Sequence, residues 1–324
     1  MREFAHLNAT SIDEAVLTLR RYRGKASIIA GGTDLLGKLK DEILPGYPEA
    51  LVNLKTIPGL DFIKEEDGML KIGSLTRLAD IASQHTVRQN YPGLAEAAHR
   101  TASTHIREMG TIGGNICQDI RCWYYRNPNN RFPCLRKGGG RCYAIDGDNR
   151  YHSIFGGSVE GGCYAVHPSD IAPALIALDA RITTSRRTMS AEDFFEVGIT
   201  KTTVLDTDEI VTQVQVPLSG PDTTSSFVKF APRKTIDFAI VNCAAMISSP
   251  GKIVQAARIC LNAVYVKPYR ATKAEETIIG REIDETAAEA AGDAAVSDAK
   301  PLPYNKYMVQ IARTMVKRAI LACT

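Results

Sequence analysis

The most informative segments of this chain each contain a glycine pair: Ala30-Gly31-Gly32-Thr33-Asp34 and Thr111-Ile112-Gly113-Gly114-Asn115. The first segment follows Ser27-Ile28-Ile29, which is predicted to be a short buried strand. Glycines let backbone N–H groups approach a phosphate closely, and the Thr33 hydroxyl adds a donor. One such pair after a strand is more often a simple turn, but two in one chain favour a shared phosphate-bearing cofactor. Neither segment fits G-x-G-x-x-G or G-x-x-x-x-G-K-[ST], which excludes the Rossmann and Walker fingerprints.

Four cysteines follow the second glycine segment at the spacing C-x11-C-x7-C-x20-C: Cys122, Cys134, Cys142 and Cys163. Thiolates on loops can hold a metal ion or an iron–sulfur cluster. Structural zinc sites usually use C-x2–4-C pairs, which this stretch lacks, so the spacing favours a cluster over the alternative of zinc. Cys117 is a rival ligand by position, but packing near the cofactor is its simpler role. Residues 121–163 are rich in Gly, Pro, Asn and Arg, and we interpret them as an insert that its metal group orders.

Composition narrows the class of protein. The chain has 324 residues, of which 44% are hydrophobic and 23% charged, and this is typical of a globular protein that buries a core. The net charge is +3 and no basic run exceeds two residues, so nucleic-acid binding has no support. No apolar run reaches the ~18 residues of a membrane helix. The first eight residues lack the apolar segment of a secretory signal, and we therefore expect a cytoplasmic protein.

Hydrophobic periodicity predicts strands that are followed by helices, an α+β pattern. A capping box at Ser11-Ile12-Asp13-Glu14 opens a helix to about Tyr22. The other predicted elements are strands at 27–30, 51–54, 60–63, 70–72, 182–186, 210–216, 226–230, 239–247 and 256–264, and helices at 77–83, 94–109, 170–178, 270–279, 285–296 and 303–322. Residues 217–221 are the best candidate for a linker between domains.

With Lys229 and Asp237-Phe238-Ala239 added to the two glycine segments, the chain resembles the FAD-binding medium subunits of the xanthine dehydrogenase/molybdenum hydroxylase family. The resemblance spans essentially the whole length. It implies an α+β fold with a two-lobed FAD-binding domain of the PCMH type, whose lobes are residues 1–55 and 56–218. An α+β C-terminal domain of the CO-dehydrogenase-flavoprotein type, a sheet covered by helices, would occupy residues 222–324.

The resemblance also implies the cofactor site. FAD would lie between the two lobes, with its pyrophosphate on the glycine segments. The residues assigned to FAD in this way are Ala30, Gly31, Gly32, Thr33, Asp34, Leu35, Thr111, Gly113, Gly114, Asn115, Asp119, Asp170 and Lys229.

A subset of these subunits carries a cysteine-rich insert with a [4Fe-4S] cluster, namely the 4-hydroxybenzoyl-CoA reductase and aldehyde oxidoreductase types. The pairs Arg121-Cys122, Pro133-Cys134, Arg141-Cys142 and Gly162-Cys163 are similar to their four ligand positions in order. The resemblance therefore assigns Cys122, Cys134, Cys142 and Cys163 as cluster ligands. The stretch 163–170 looks more like the aldehyde oxidoreductases and the stretch 115–122 more like the reductases, so the substrate stays open.

By the same resemblance the chain has no catalytic residue of its own. A large subunit would carry the molybdopterin site, and a small subunit two [2Fe-2S] clusters. We expect a ferredoxin-like or other electron carrier to dock electrostatically on the basic residues of the insert, which are Arg121, Arg126, Arg131, Arg136, Lys137 and Arg141. Two other classes remain: an autonomous FAD oxidoreductase and a zinc-stapled binding protein.

Overall fold

Three sheets succeed one another along the chain in the computed structural model, which describes residues 1–158 and 162–324. Residues 159–161, which belong to the predicted insert, lie outside the described residues. Each sheet has its own covering helices, and two of the helices lie between the second and third sheets. This arrangement brings the two glycine segments and the C-terminal sheet to one region of the molecule.

The first sheet is parallel and has the order β1-β3-β2, with strands β1 (Ala5–Asn8), β2 (Ala26–Ile29) and β3 (Ala50–Asn53). Helix α1 (Ile12–Tyr22) crosses from β1 to β2, and the Ser11 hydroxyl accepts the Glu14 N–H at 3.2 Å, which confirms the predicted cap. Helix α2 (Leu35–Lys40) follows the first glycine segment directly. The sequence analysis missed both β1 and α2, because each is short and largely exposed.

The second sheet is antiparallel and has the order β4-β5-β8-β6-β7. Its strands are β4 (Ile63–Glu66), β5 (Met69–Gly73), β6 (Arg181–Thr184), β7 (Thr188–Ser190) and β8 (Val211–Pro217). The helices of this region are α3 (Leu78–Ser83), α4 (His85–Asn90), α5 (Pro92–His99), α6 (Thr104–Met109), α7 (Ile112–Ile116) and α8 (Ile171–Ala177).

One prediction in this region was wrong. The single helix predicted over 94–109 is two helices, because Ala102 takes a left-handed backbone (φ 47°) and Ser103 caps a new helix through the Ile106 N–H at 3.4 Å. The second glycine segment consists of the N-cap of α7 and most of that short helix. The Thr111 hydroxyl starts that helix by accepting the Gly114 N–H at 3.1 Å.

The cysteine-bearing insert contains little regular structure, as predicted. Its 3-10 turns are Pro128–Asn130 and Leu135–Lys137. The backbones of Arg121 and Val166 exchange two hydrogen bonds, of 2.9 and 3.1 Å, and these close the base of the insert. The insert is therefore a loop of the second lobe whose two ends are hydrogen-bonded to each other.

The third sheet is antiparallel and has the order β12-β11-β10-β9, with strands β9 (Thr223–Phe230), β10 (Val241–Ser248), β11 (Ala256–Asn262) and β12 (Tyr269–Arg270). Helices α9 (Thr272–Ile278), α10 (Glu285–Ala295) and α11 (Tyr307–Leu321) cover one face. Helices α5 and α8 pack on the opposite face, within the largest core of the molecule. None of the helices in residues 1–158 and 162–324 is long and apolar enough to span a membrane.

Candidate functional site

A cavity of about 530 Å³ lies where the first sheet, helix α7 and the C-terminal domain meet. This volume is within the ~300–1,000 Å³ of typical ligand pockets. The predicted cofactor residues that line it are Ala30, Gly31, Gly32, Thr33, Asp34, Leu35, Thr111, Gly113, Gly114, Asn115, Asp119 and Asp170. The structure thus brings both glycine segments to one cavity, although they lie far apart in the sequence.

The glycines of this cavity have two different roles. A Cβ on Gly31 would lie 2.2 Å from the Met109 carbonyl oxygen, and one on Gly113 would lie 2.9 Å from that of Ser74. These two glycines allow the backbone to pack closely on its neighbours. Gly32 has a φ of +72°, which favours glycine, while a Cβ on Gly114 would meet only the Thr111 hydroxyl, at 3.1 Å. Gly114 is therefore the position where a side chain would fill the cavity with little effect on packing.

Two carboxylates at the cavity wall are held by cations. Asp34 accepts the Asp119 N–H at 3.0 Å through Oδ2 and the Arg126 guanidinium at 2.7 Å through Oδ1. Asp119 Oδ2 accepts Lys38 Nζ at 2.6 Å and the Tyr125 hydroxyl at 2.5 Å. Burial alone would raise the pKa of Asp119, but the charges of Lys38 and Arg126 hold it below its usual range. The first glycine segment, the residues after α7 and the insert meet in this network.

Lys229 is the exception among the predicted cofactor residues, because it does not line the cavity. Its Nζ donates to Asp170 Oδ2 at 2.6 Å and to the Arg100 carbonyl at 3.0 Å, and its side chain is 3% exposed. Asn242 Nδ2 donates to the other Asp170 oxygen at 2.6 Å. The assignment of Lys229 to the cofactor therefore stays a prediction; in the structure the lysine pairs with the buried Asp170, which does line the cavity.

The sequence analysis did not assign the apolar part of the cavity. Leu78 and Ile106 line it from the second lobe, and Ile236 and Phe238 from the C-terminal domain. The Arg121 guanidinium carbon lies 3.9 Å from the centre of the Phe238 ring, a cation–π contact that joins the insert to this domain. Only Phe238 had a signal, as part of the Asp237-Phe238-Ala239 segment, because isolated apolar residues carry no motif.

The four predicted metal ligands line a second, smaller cavity of about 10 Å³: Cys122, Cys134, Cys142 and Cys163. Tyr125 lines it as well, and its hydroxyl reaches Asp119 of the large cavity. Cys117 lines the large cavity instead. Across the described ranges, no three His, Cys, Asp or Glu side chains are grouped closely enough to hold a metal ion as they stand.

Donors surround these sulfur atoms. His152 Nε2 lies 3.2 Å from Cys122 Sγ, and the Ala165 N–H donates to Cys163 Sγ at 3.4 Å. Burial lowers the pKa of His152 to about 4, so its ring is neutral near pH 7. Burial raises the pKa of Cys163 to about 11, and since metals bind the thiolate, metal binding here would release protons. His152 carried no signal in the sequence, because no metal-binding spacing includes it.

Most of the insert's basic side chains point inward. Arg121 and Arg126 interact with Asp34, and Arg136 donates to the carbonyls of Gly198 and Lys201 at 3.2 and 3.0 Å. Lys137 is buried. Of the six basic residues that were expected to form a docking surface, Arg131 and Arg141 are exposed. The prediction of a basic surface was therefore wrong for four of the six, which have structural partners or are buried.

Residues 2–219 match the family described as the FAD binding domain in molybdopterin dehydrogenase. The chain belongs to this family. Residues 226–323 match the CO dehydrogenase flavoprotein C-terminal domain. The family match supports FAD as the cofactor of this chain, and the glycine-lined cavity is its candidate site.

The most informative relatives cover nearly the whole chain. The aldehyde oxidoreductase FAD-binding subunit PaoB of Escherichia coli (strain K12) is 33% identical over 97% of this chain and 96% of its own length. The carbon monoxide dehydrogenase medium chain of Hydrogenophaga pseudoflava is 29% identical over 96% and 94%. A solved carbon monoxide dehydrogenase structure from that organism superposes with a TM-score of 0.78 at 27% identity, over 99% of this chain and 97% of that one. These comparisons confirm the predicted α+β fold.

Replacing Gly114 by valine tests the cavity assignment. The new side chain would occupy the cavity, and its first carbon would meet only the Thr111 hydroxyl, so we expect FAD affinity to fall at least tenfold with little loss of fold stability. Fluorescence titration with FAD measures the affinity, and thermal unfolding of the FAD-free protein measures the stability.

Gly37→Val is the matched control, because Gly37 lies in helix α2 and a Cβ there has open space around it. It should bind FAD as the wild type does. Unchanged FAD affinity in the Gly114→Val protein would show that FAD does not bind against Gly114.

Proposed function

We propose that this chain is the electron-transfer subunit of a multi-subunit molybdenum-dependent oxidoreductase, and that it holds a [4Fe-4S] cluster on Cys122, Cys134, Cys142 and Cys163 in addition to FAD. The observation that carries the proposal is the convergence of four separate cysteines on one cavity beside the flavin cavity. Tyr125 lines the cysteine cavity and its hydroxyl bonds Asp119 of the flavin cavity, so the two cavities share a wall.

The relatives support the assembly. One is the FAD-binding subunit of an aldehyde oxidoreductase, and another is the medium chain of a carbon monoxide dehydrogenase. Both descriptions imply other subunits, and we propose a large molybdopterin-binding subunit and a small subunit with two [2Fe-2S] clusters as the partners of this chain. Substrate chemistry would then take place in the large subunit, with this chain passing electrons onward.

The arrangement of the thiols favours a cluster over zinc. Zinc holds four sulfurs at ~2.3 Å, which places neighbouring sulfurs roughly 3.8 Å apart around one ion. The cysteine spacing, C-x11-C-x7-C-x20-C, contains none of the C-x2–4-C pairs that usually hold such an ion, although all four cysteines line one cavity. A cubane is larger than this cavity of about 10 Å³, so its binding would require the side chains to move apart, as expected for an insert whose order depends on its metal group. The Ala165 N–H that donates to Cys163 suits anionic sulfur, and the His152 ring beside Cys122 would suit it in the tautomer that carries its proton on Nε2.

The chain's own residues bind and orient the cofactors. The glycine segments would admit the pyrophosphate of FAD, while Leu78, Ile106 and Phe238 would exclude water from its apolar part. FAD, when bound, exchanges electrons singly or in pairs, which allows it to connect substrate chemistry with one-electron clusters. The Lys229 ammonium keeps the buried Asp170 carboxylate in place at the cavity wall.

We propose that the external partner is a one-electron carrier of the ferredoxin type. A cluster near the protein surface is suited to one-electron exchange, and Cys122 is only partly buried. The exposed basic side chains of the insert, within its described residues, are Arg131, Arg141 and Arg150. The electrostatic attraction is thus weaker than the insert's composition suggests.

Single Cys→Ser changes at the four proposed ligands test the cluster. Each should lower iron and acid-labile sulfide well below about four per chain, the content of one cubane, because a ligand is lost. Anaerobic purification followed by metal and sulfide analysis gives the result. Cys117→Ser is the matched control and should keep full iron content, since Cys117 lines the other cavity. Stoichiometric zinc in the wild-type protein would contradict the cluster assignment and indicate a structural zinc site instead.

Affinity purification of the tagged native chain tests the assembly. We expect it to bring down a large subunit that contains molybdenum and a small subunit that contains two [2Fe-2S] clusters. Mass spectrometry and metal analysis identify these partners. A lone chain that oxidises NAD(P)H or a substrate by itself would instead establish the autonomous flavoenzyme.

Stopped-flow reduction or oxidation of the purified complex tests the carrier. We expect faster exchange with ferredoxin than with NAD(H), and a ferredoxin rate that falls about twofold to fivefold as ionic strength rises through the screening range. Arg131→Gln combined with Arg141→Gln should lower the rate and its salt dependence together. The proposal fails if NAD(H) reacts faster than ferredoxin, or if the rate of electron exchange with ferredoxin changes neither with ionic strength nor with these substitutions.

A further inference from the structure

Lys137 ends the 3-10 turn that follows Cys134, and its backbone N–H donates to the Cys134 carbonyl at 2.8 Å. The residue is 9% exposed. Its Nζ has no hydrogen-bond partner in the part of the chain that the structure describes. An ammonium that is buried without a partner is costly, because the protein interior replaces its hydration poorly. The position therefore calls for an anionic group close to Nζ.

The surroundings of Lys137 indicate where that group lies. Its Nζ is 5.7 Å from the centre of the Tyr125 ring, which lines the cysteine cavity. Burial lowers the pKa of Lys137, and the nearby thiols of Cys134 and Cys122 oppose that shift. The neighbouring Arg136, in contrast, is satisfied by the carbonyls of Gly198 and Lys201. Of these two adjacent cations, Arg136 lines the cysteine cavity and has its partners, whereas Lys137 is buried beside Tyr125 with no hydrogen-bond partner for Nζ among the described residues.

We propose that Lys137 supplies the positive charge that balances the cluster held by the four cysteines and raises its reduction potential. This inference rests on the proposed [4Fe-4S] site. A cluster with four thiolate ligands is anionic, and reduction by one electron makes it more negative. A fixed ammonium in a medium of low dielectric constant stabilises the reduced form more than the oxidised form. Lys137 is thus a positioning and tuning residue rather than a ligand.

The test is a redox titration of the purified complex in which the EPR signal of the reduced cluster is followed for wild type, Lys137→Met and Lys137→Gln. We expect both variants to shift the reduced-to-oxidised ratio at the wild-type midpoint about tenfold toward oxidised, equivalent to ~59 mV for a one-electron couple. Lys137→Arg, which restores the charge, should stay within about threefold of wild type.

Arg131→Met is the matched control, because it removes an exposed positive charge from the same insert. It should leave the midpoint unchanged. An unchanged midpoint in Lys137→Met or Lys137→Gln protein with full iron content would overturn the inference. If both neutral variants lose the cluster, retention in Lys137→Arg supports a role for the charge, and loss in that variant as well contradicts it.

Failure of the proposed cluster is distinguishable from failure of this inference. If the wild-type protein contains no iron and no labile sulfide, the proposed cluster itself is refuted. If the wild-type protein contains the cluster but its reduction potential does not change with the residue at position 137, only the role of Lys137 is refuted.

Discussion

The guanidinium of Arg126 is the contact on which the geometry of the site depends. It donates to Asp34 at 2.7 Å, to the Asp119 carbonyl at 2.8 Å and to the Ile120 carbonyl at 3.0 Å. Three segments from different parts of the chain are thereby joined: the first glycine segment, the residues after α7 and the insert. Because removal of one partner from a buried ion pair leaves an uncompensated charge, these contacts stabilise the site together. The wall of the glycine-lined cavity therefore depends on the order of the insert.

The sequence predicted the parts of the site that require special residue types. The glycine segments reach one cavity because only glycine allows Gly31 to lie against the Met109 backbone and Gly32 to adopt its positive φ. The cysteines converge as their unusual spacing indicated. The larger strands and helices of the C-terminal domain also lie close to their predicted positions, since long apolar runs specify buried strands and helix faces.

The contacts that the sequence did not reveal are those in which a distant partner decides the role of a side chain. Lys229 of β9 contacts Asp170 at the start of α8, and no local pattern contains that information. The basic residues of the insert were expected at the surface, but Arg126 and Arg136 are held by a carboxylate and by carbonyls that come from elsewhere in the chain. In this insert, positive charge serves mainly to hold the interior of a loop that has few apolar residues.

The ion pair between Lys229 and Asp170 links the two segments of the chain that match different family models. The carboxylate belongs to the segment that ends at residue 219, and its ammonium partner to the segment that begins at residue 226. A chain cut between them would expose helices α5 and α8 and leave Asp170 without its cation. The segments are thus modules of sequence but not of folding, and a single cooperative unfolding transition for the whole chain would be the experimental signature of this dependence.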